Sequence, residues 1–299
     1  MSFIVETSTV TSAILSGEID GAYGLPATGI AALNSAPGTV YYGPSLDVTE
    51  LVVANGKGPL GDPDVRTALS MSLDRQAIAE KIYNGAAVPN KTLTPPSAWD
   101  PAAIDVYQAA YDELPGLEPD IEGAKQLLAG KTGLDKPMVM ALLAGDEREL
   151  QLSSVIQQAA KDIGLTIELQ PMQAMDLSNA FYVPEYRKGL DLVMAEGWLD
   201  IPDPLDYTAL TVMKGALFNW IDYSNPEMEK LLIQARQTFD PTERANLVVQ
   251  AQAMYTADTV LIPITNPYQV LYLNDRISGA PSSFAYMWIP GLAMLGGTQ

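Results

Sequence analysis

The chain has 299 residues, 47 % hydrophobic and 18 % charged, enough for one large or two ordinary folded domains with a buried core. Its 36 acidic and 17 basic side chains give a net charge of −19, which repels nucleic-acid phosphates and anionic membrane surfaces. Histidine and cysteine are both absent, which excludes thiol nucleophiles, disulfides, Ser–His–Asp triads and imidazole-dependent metal sites.

The opening MSFIVETSTV lacks the basic and apolar regions of a signal peptide, and FIVE reads as a strand already under way. STVTSAILSG reads as a helix closed by Gly17, IDGAYG as a strand and TGIAALNSAPG as a short helix. VTELVVAN, 48–55, is apolar enough for a buried strand. Asp62 and Pro63 signal the cap and first residue of a helix with Val65, Leu69, Ser72 and Leu73 near one face. Asp74 starts a second helix through Ile78 and Ile82 to Gly85, and residues 86–119, rich in proline and aromatics, read as a long ordered loop.

The middle is the most regular part. Asp120 caps a short helix to Gly130, and PMVMALLAG is a strand. ERELQLSSVIQQAAKDIG aligns Leu152, Val155, Ile156, Ala159, Ala160 and Ile163 on one helical stripe. LTIELQPM is a strand, and LDLVMAEGW is another after an irregular stretch. Strand–helix–strand order of this kind predicts an α/β layer with parallel pairing. Asn225–Pro226 and Asp240–Pro241 start two further helices, VLIPITNPYQVLYLND is a strand broken at Asn266–Pro267, and the last twenty-five residues are loop-like. The strand-like stretches 48–55 and 260–265 bracket the α/β middle, so if they run side by side the chain crosses twice between two bodies.

The candidate site is GWLDIPDPLDY, read as a stiff, acidic, non-helical stretch behind a buried strand. Loops at the C-terminal ends of strands in α/β sheets are where ligands bind. Gly197 and Trp198 open it; the indole offers an apolar face and a donor, and Asp200 a carboxylate for an ammonium or guanidinium. A solvated turn explains the same residues. Asp200, Asp203 and Asp206 lack the spacing of an EF-hand loop, so no metal is expected. No local motif singles out a hydrolytic carboxylate pair, and GEIDGAYG and GPLGDPD lack phosphate-loop spacing. Arg66 reads as a structural ion-pairing residue of its helix, and Tyr23 as either packing or a cleft wall.

GEIDGAYGLP, VVANGKGPLGDPDVRTALSMSLDRQAI, AKQLL, GW…DPLDY, NWIDYSNPEMEKLL, ERANLVVQAQAMYTADTVLIPI and YLNDRISG, in this order, resemble the family 5 extracellular solute-binding proteins. These are the cluster C receptors of ABC importers, which take up peptides, nickel complexes, opines or oligosaccharides. The resemblance implies an α/β periplasmic-binding-protein type lobe, a mixed sheet flanked by helices, with a partial second lobe. Residues 1–47 would be a fragment of lobe I, 48–55 a hinge strand, 56–258 lobe II, 259–266 a second hinge strand and 267–299 the return to lobe I. Members are about twice as long, so the first part of lobe I and any signal or lipid-anchor sequence are expected to be missing from this chain.

The resemblance further implies a receptor without enzymatic activity or cofactor, periplasmic or extracellular, with a peptide or other small solute and membrane permease subunits as partners. In peptide-binding members an aspartate shortly after a Gly-Trp holds the ligand's ammonium. This chain is one residue shorter there, so Asp200 and Asp203 both stand for the role, beside Gly197, Trp198 and Tyr23. A carboxylate-dependent glycoside hydrolase and a non-catalytic interaction module are the alternatives.

Overall fold

A computed structural model describes residues 7–25, 27–33, 36–284 and 288–298. The expected strand FIVE therefore lies outside the described residues. The elements in chain order are α1 (Thr7–Leu15), β1 (Gly21–Tyr23), α2 (Ala27–Leu33), β2 (Gly38–Gly43), β3 (Asp47–Val53), α3 (Pro63–Met71), α4 (Arg75–Lys81), β4 (Ala87–Pro89), α5 (Ile104–Asp112), α6 (Ile121–Leu128) and β5 (Met138–Leu143). They continue with α7 (Glu147–Asp162), β6 (Ile167–Met172), α8 (Ala174–Tyr182), β7 (Leu192–Trp198), α9 (Pro204–Thr211), α10 (Pro226–Gln237), α11 (Pro241–Ala257), β8 (Ile262–Pro267), β9 (Gln269–Asn274), β10 (Ile277–Ser278) and β11 (Gly296–Gly297).

Two compact units result, one of Met1–Ser45, Ala77–Val88 and Asn266–Gln299, the other of Leu46–Gln76 and Pro89–Thr265. In the smaller unit, β9 is the middle strand of an antiparallel sheet in the order β1-β9-β2. The second of its outer strands, β2, has alternating exposure and was missed by the sequence reading, because TVYYG carries no apolar run. Gly43 is obligatory there: a Cβ on it would run into the Ser282 backbone.

The core of the larger unit is a mixed sheet in the order β8-β3-β7-β5-β6, and beside its β8 edge the Asn90 N–H donates to the Ile264 carbonyl at 3.0 Å. As expected from the strand–helix–strand order, β5 runs parallel to both β6 and β7. β3 is antiparallel to β7 on one side and β8 on the other, so the two bracketing stretches do lie side by side. The β3–β8 register shifts between Thr49 and Glu50, and Glu50 then faces Pro263, which has no N–H to offer.

Helix starts follow the local grammar. Asp62, Asp120, Asp146, Asp203, Asn225 and Asp240 each accept a backbone N–H at the N-terminus of α3, α6, α7, α9, α10 and α11. In α7 the predicted stripe is buried at Leu152, Ile156, Ala159, Ala160 and Ile163, whereas Val155 is exposed. Two loop expectations were wrong. Residues 86–119 contain β4 and α5, whose Tyr107 is buried against Trp99 (rings stacked at 5.8 Å), and the irregular stretch before β7 contains α8, which packs Leu177 on Ala141 and Val193. Mixed aromatic and polar sequence hid both, since tertiary packing rather than propensity holds short helices.

Arg66 and Asn55 fix the segments around β3. The Arg66 guanidinium is buried and donates to the carbonyls of Leu60 (2.8 Å), Gly61 (3.2 Å), Asp258 (2.7 Å) and Thr259 (2.7 Å). Its role is structural, as expected, but through carbonyls rather than the anticipated ion pair. Asn55 donates to the Asp191 carboxylate at 3.0 Å, and the same carboxylate accepts the Val139 N–H at 2.9 Å, locking the chain after β3 to the approach of β7.

Candidate functional site

β7 carries Gly197 and Trp198 to the end of the sheet, opposite Val48 and Asp47 of β3. Gly197 is buried, and a Cβ there would sit 2.7 Å from the Tyr207 ring, so glycine is what lets α9 pack flat on the strand. The Trp198 backbone is a strand residue; its indole lies outside the described residues. Leu199 is buried and its N–H donates to the Leu46 carbonyl at 3.1 Å, which pins the exit of the strand.

The acidic turn then sorts its three aspartates into different jobs. Asp203 caps α9, accepting the Leu205 N–H at 2.9 Å, and its carboxylate is clamped by Arg244 of α11 at 2.5 and 2.7 Å. Asp206 reaches back to accept the Asp200 N–H at 2.8 Å. The Asp203 N–H donates to the Ile201 carbonyl at 2.8 Å, closing the turn. What remains is Asp200: exposed, its backbone held, its carboxylate without a partner among the described residues. The stretch is non-helical only as far as Asp203; Pro204 begins α9, with a capping aspartate and proline as at the starts of α3 and α11.

An aromatic wall extends from Gly197. The Tyr207 ring lies 6.3 Å from Phe218, Phe218 contacts Phe181 (6.3 Å) and Tyr182 (6.1 Å) edge-on, and Phe181 meets Trp220 at 5.4 Å. The Arg187 guanidinium sits 4.4 Å above the Trp220 ring. Tyr182 and the neighbouring Leu217 are exposed. Phe181, Tyr182 and Phe218 were not singled out in the sequence, the first two because α8 carries no clear signal there.

Two carboxyls beneath the surface are made harder to ionise by burial. Glu50 of β3 is fully buried and accepts the Tyr207 hydroxyl; burial pushes it up to about 8, the hydrogen bond opposing. Glu149 accepts the Leu143 N–H, and burial pushes it up to about 7. At the surface, Glu196 pairs with Arg148. Tyr23 sits in the smaller unit, on β1 opposite Leu271. The structure thus brings Gly197, Trp198, Asp200 and Asp203 onto one strand end of the larger unit, with Tyr23 on a sheet of the other.

The architecture, a mixed α/β sheet with helices on it and an acidic turn at the end of a strand, is that of a periplasmic-binding-protein lobe. A sequence profile of the bacterial extracellular solute-binding proteins, family 5 (middle region), matches residues 1–217, and the chain belongs to that family. The periplasmic oligopeptide-binding protein OppA of Salmonella typhimurium is 26 % identical over 268 residues, 88 % of this chain and 47 % of OppA. The probable D,D-dipeptide-binding periplasmic protein DdpA of Escherichia coli is 27 % identical over 270 residues, 88 % of this chain and 49 % of DdpA.

Among solved structures, the ABC transporter substrate-binding protein CtaP from Listeria monocytogenes matches with a TM-score of 0.82 at 22 % identity, over 98 % of this chain and 59 % of that one. DppA from Helicobacter pylori, in complex with the peptide STSA, matches at 0.78 and 22 % identity, over 94 % and 53 %. The chain spans about half the length of the curated relatives it matches. Among the described residues no helix is long and apolar enough to cross a membrane.

Proposed function

We propose that the chain supplies the ligand-reading part of an ABC importer's solute receptor, which captures a small solute bearing a cationic end, such as a peptide's ammonium, and changes no bond in it. The observation that carries this reading is the division of labour in the turn after β7. Asp203 and Asp206 are spent on the turn itself, which leaves the Asp200 carboxylate on a held backbone and open to a ligand. A pre-placed carboxylate loses little entropy on binding and forms a charge-assisted hydrogen bond. The aromatic wall beside Gly197 would receive apolar parts of the solute, and Tyr23 is assigned to the opposing lobe.

In this reading residues 1–47 and 267–299 belong to lobe I, 56–258 to lobe II, and the stretches 48–55 and 259–266 are the hinge. The ligand favours the closed form because it binds that form better than the open one. Membrane permease subunits would read the closure outside the cytoplasm, in the periplasm or at a membrane-anchored surface, and the remaining part of lobe I would come from chain beyond this one. The relatives named for oligopeptide and D,D-dipeptide binding support the solute class.

The test is a thermal-shift screen with di- and oligopeptides, opines, oligosaccharides and nickel chelates, followed by mass spectrometry of the solute. Binding to the native state alone raises the melting temperature. A stabilising solute recovered unchanged supports the receptor. Turnover of an oligosaccharide would replace it with a hydrolase, and the absence of any shift would contradict capture by this chain.

A further inference from the structure

A cavity of about 310 Å³ lies wholly within the larger unit, between α3, α11 and the segment before α6. That size is within the range of small-molecule sites. None of the residues at the β7 end lines it. Its wall carries Arg75 and Lys91, and Glu118 and Asp120 also line it.

Both cations are held by neutral groups, as Arg66 is, but unlike Arg66 they line an open cavity. Arg75 is 6 % exposed; its Nε donates to the Pro263 carbonyl at 2.9 Å, one Nη to the Ser70 carbonyl at 2.9 Å and the other to the Ser70 hydroxyl at 2.7 Å. Three of its five N–H donors are used, and two have no acceptor among the described residues. Lys91 donates to the carbonyls of Tyr111 (3.3 Å) and Leu114 (3.2 Å), leaving a third N–H. Neither forms an ion pair among the described residues, whereas Lys131, Arg148, Arg244 and Arg276 all do. Burial pulls Arg75 down to about 10, opposed by the nearby Tyr111 and by no carboxylate.

A buried guanidinium with unused donors and an ammonium on the same cavity is a site that lacks its anion. Glu118 and Asp120 are exposed, so the cavity's outer lining has the opposite sign. We infer that this cavity binds a small zwitterionic solute of the amino-acid type, its carboxylate inward at Arg75 and Lys91 and its ammonium outward at Glu118 and Asp120. Occupancy would brace α3 against the C-terminal turn of α11, through a site separate from the one after β7.

Met71 lines the cavity and provides the readout. The whole chain, labelled at its methionine methyls with carbon-13, would be titrated with L-alanine, sodium propionate, methylammonium chloride and sodium chloride at constant ionic strength, the Met71 signal being identified from Met71→Leu. The expected result is a saturable shift of the Met71 methyl with L-alanine, a weaker response to propionate and none to the other two. Lys91→Gln, which keeps donors for the two carbonyls, should weaken L-alanine at least tenfold with an unchanged methyl spectrum elsewhere. A Met71 signal that ignores L-alanine, follows sodium chloride equally, or responds identically in Lys91→Gln overturns the inference. Should Lys91→Gln fail to fold, Glu118→Gln serves instead: L-alanine weakened while propionate is not supports the zwitterion, and no change in either overturns it.

Discussion

The Tyr207 hydroxyl donates to the Glu50 carboxyl inside the larger unit, where both side chains are buried. This one bond joins α9, the helix that follows the acidic turn, to β3 in the middle of the sheet. Folded Glu50 keeps its proton up to about pH 8, whereas an unfolded carboxyl loses it near 4.5. The native state therefore binds more protons in that window, so this contribution to stability is intact below about pH 4.5 and is lost as pH rises through 8. Glu149, raised to about 7, acts in the same direction. Glu50→Gln should thus raise the melting temperature by about 5 °C at roughly pH 9 and change it little at pH 5. Thermal melts across that range check this, and a variant less stable at both ends would contradict it.

Gly197→Ala forces a methyl to within 2.7 Å of the Tyr207 ring. The ring is enclosed by the sheet and cannot retreat without giving up Glu50. The expected loss is about 2 kcal/mol or more in denaturant unfolding, together with a weaker pH dependence between about 5 and 8.

Asp203 and Asp200 should separate in stability. Asp203→Ala removes a helix cap and strands the half-buried Arg244, at a cost of about 2 kcal/mol. Asp200→Asn touches only an exposed carboxylate and should cost less than about 0.5 kcal/mol. Equal losses in urea unfolding would mean the turn is held differently.

Arg66→Met leaves four carbonyls without their donor in a buried setting and should cost about 3 kcal/mol or more. Arg66→Lys should recover only part of this, because an ammonium cannot span carbonyls on two separate segments. Denaturant unfolding of both variants checks the order.

Where elements carried their own signals, the sequence was sufficient. Asp–Pro and Asn–Pro pairs marked the starts of α3, α10 and α11, and the apolar period of α7 named four of its buried residues and Ile163 at its end. The same pair, Asp203–Pro204, starts α9, yet the density of proline and aspartate around it read as a stiff loop. The helices α5 and α8 depend on what they pack against, Trp99 just upstream for one and the β5–β7 surface for the other, and the periodicity of neither segment shows that partner. In the candidate site, Gly197 and Asp200 can be proposed from residue type alone. The separation of Asp203 from Asp200 was not, because it rests on Arg244, 41 residues further on. Glu50 was hidden for a similar reason: a single acid in an apolar strand shows its burial only once Tyr207 is placed beside it.

The most direct test of the account is a calorimetric titration of the chain and of Asp200→Asn with trialanine and with N-acetyl-trialanine. The account predicts that trialanine binds the native chain, and that either removing the ligand's ammonium or neutralising Asp200 weakens binding by roughly ten- to a hundredfold, a lost charge-assisted hydrogen bond being worth about 1.5–3 kcal/mol. Combining the two changes should cost little more than either alone. Trialanine binding equally well to Asp200→Asn would contradict the assignment of Asp200 as the carboxylate that reads the solute's cationic end.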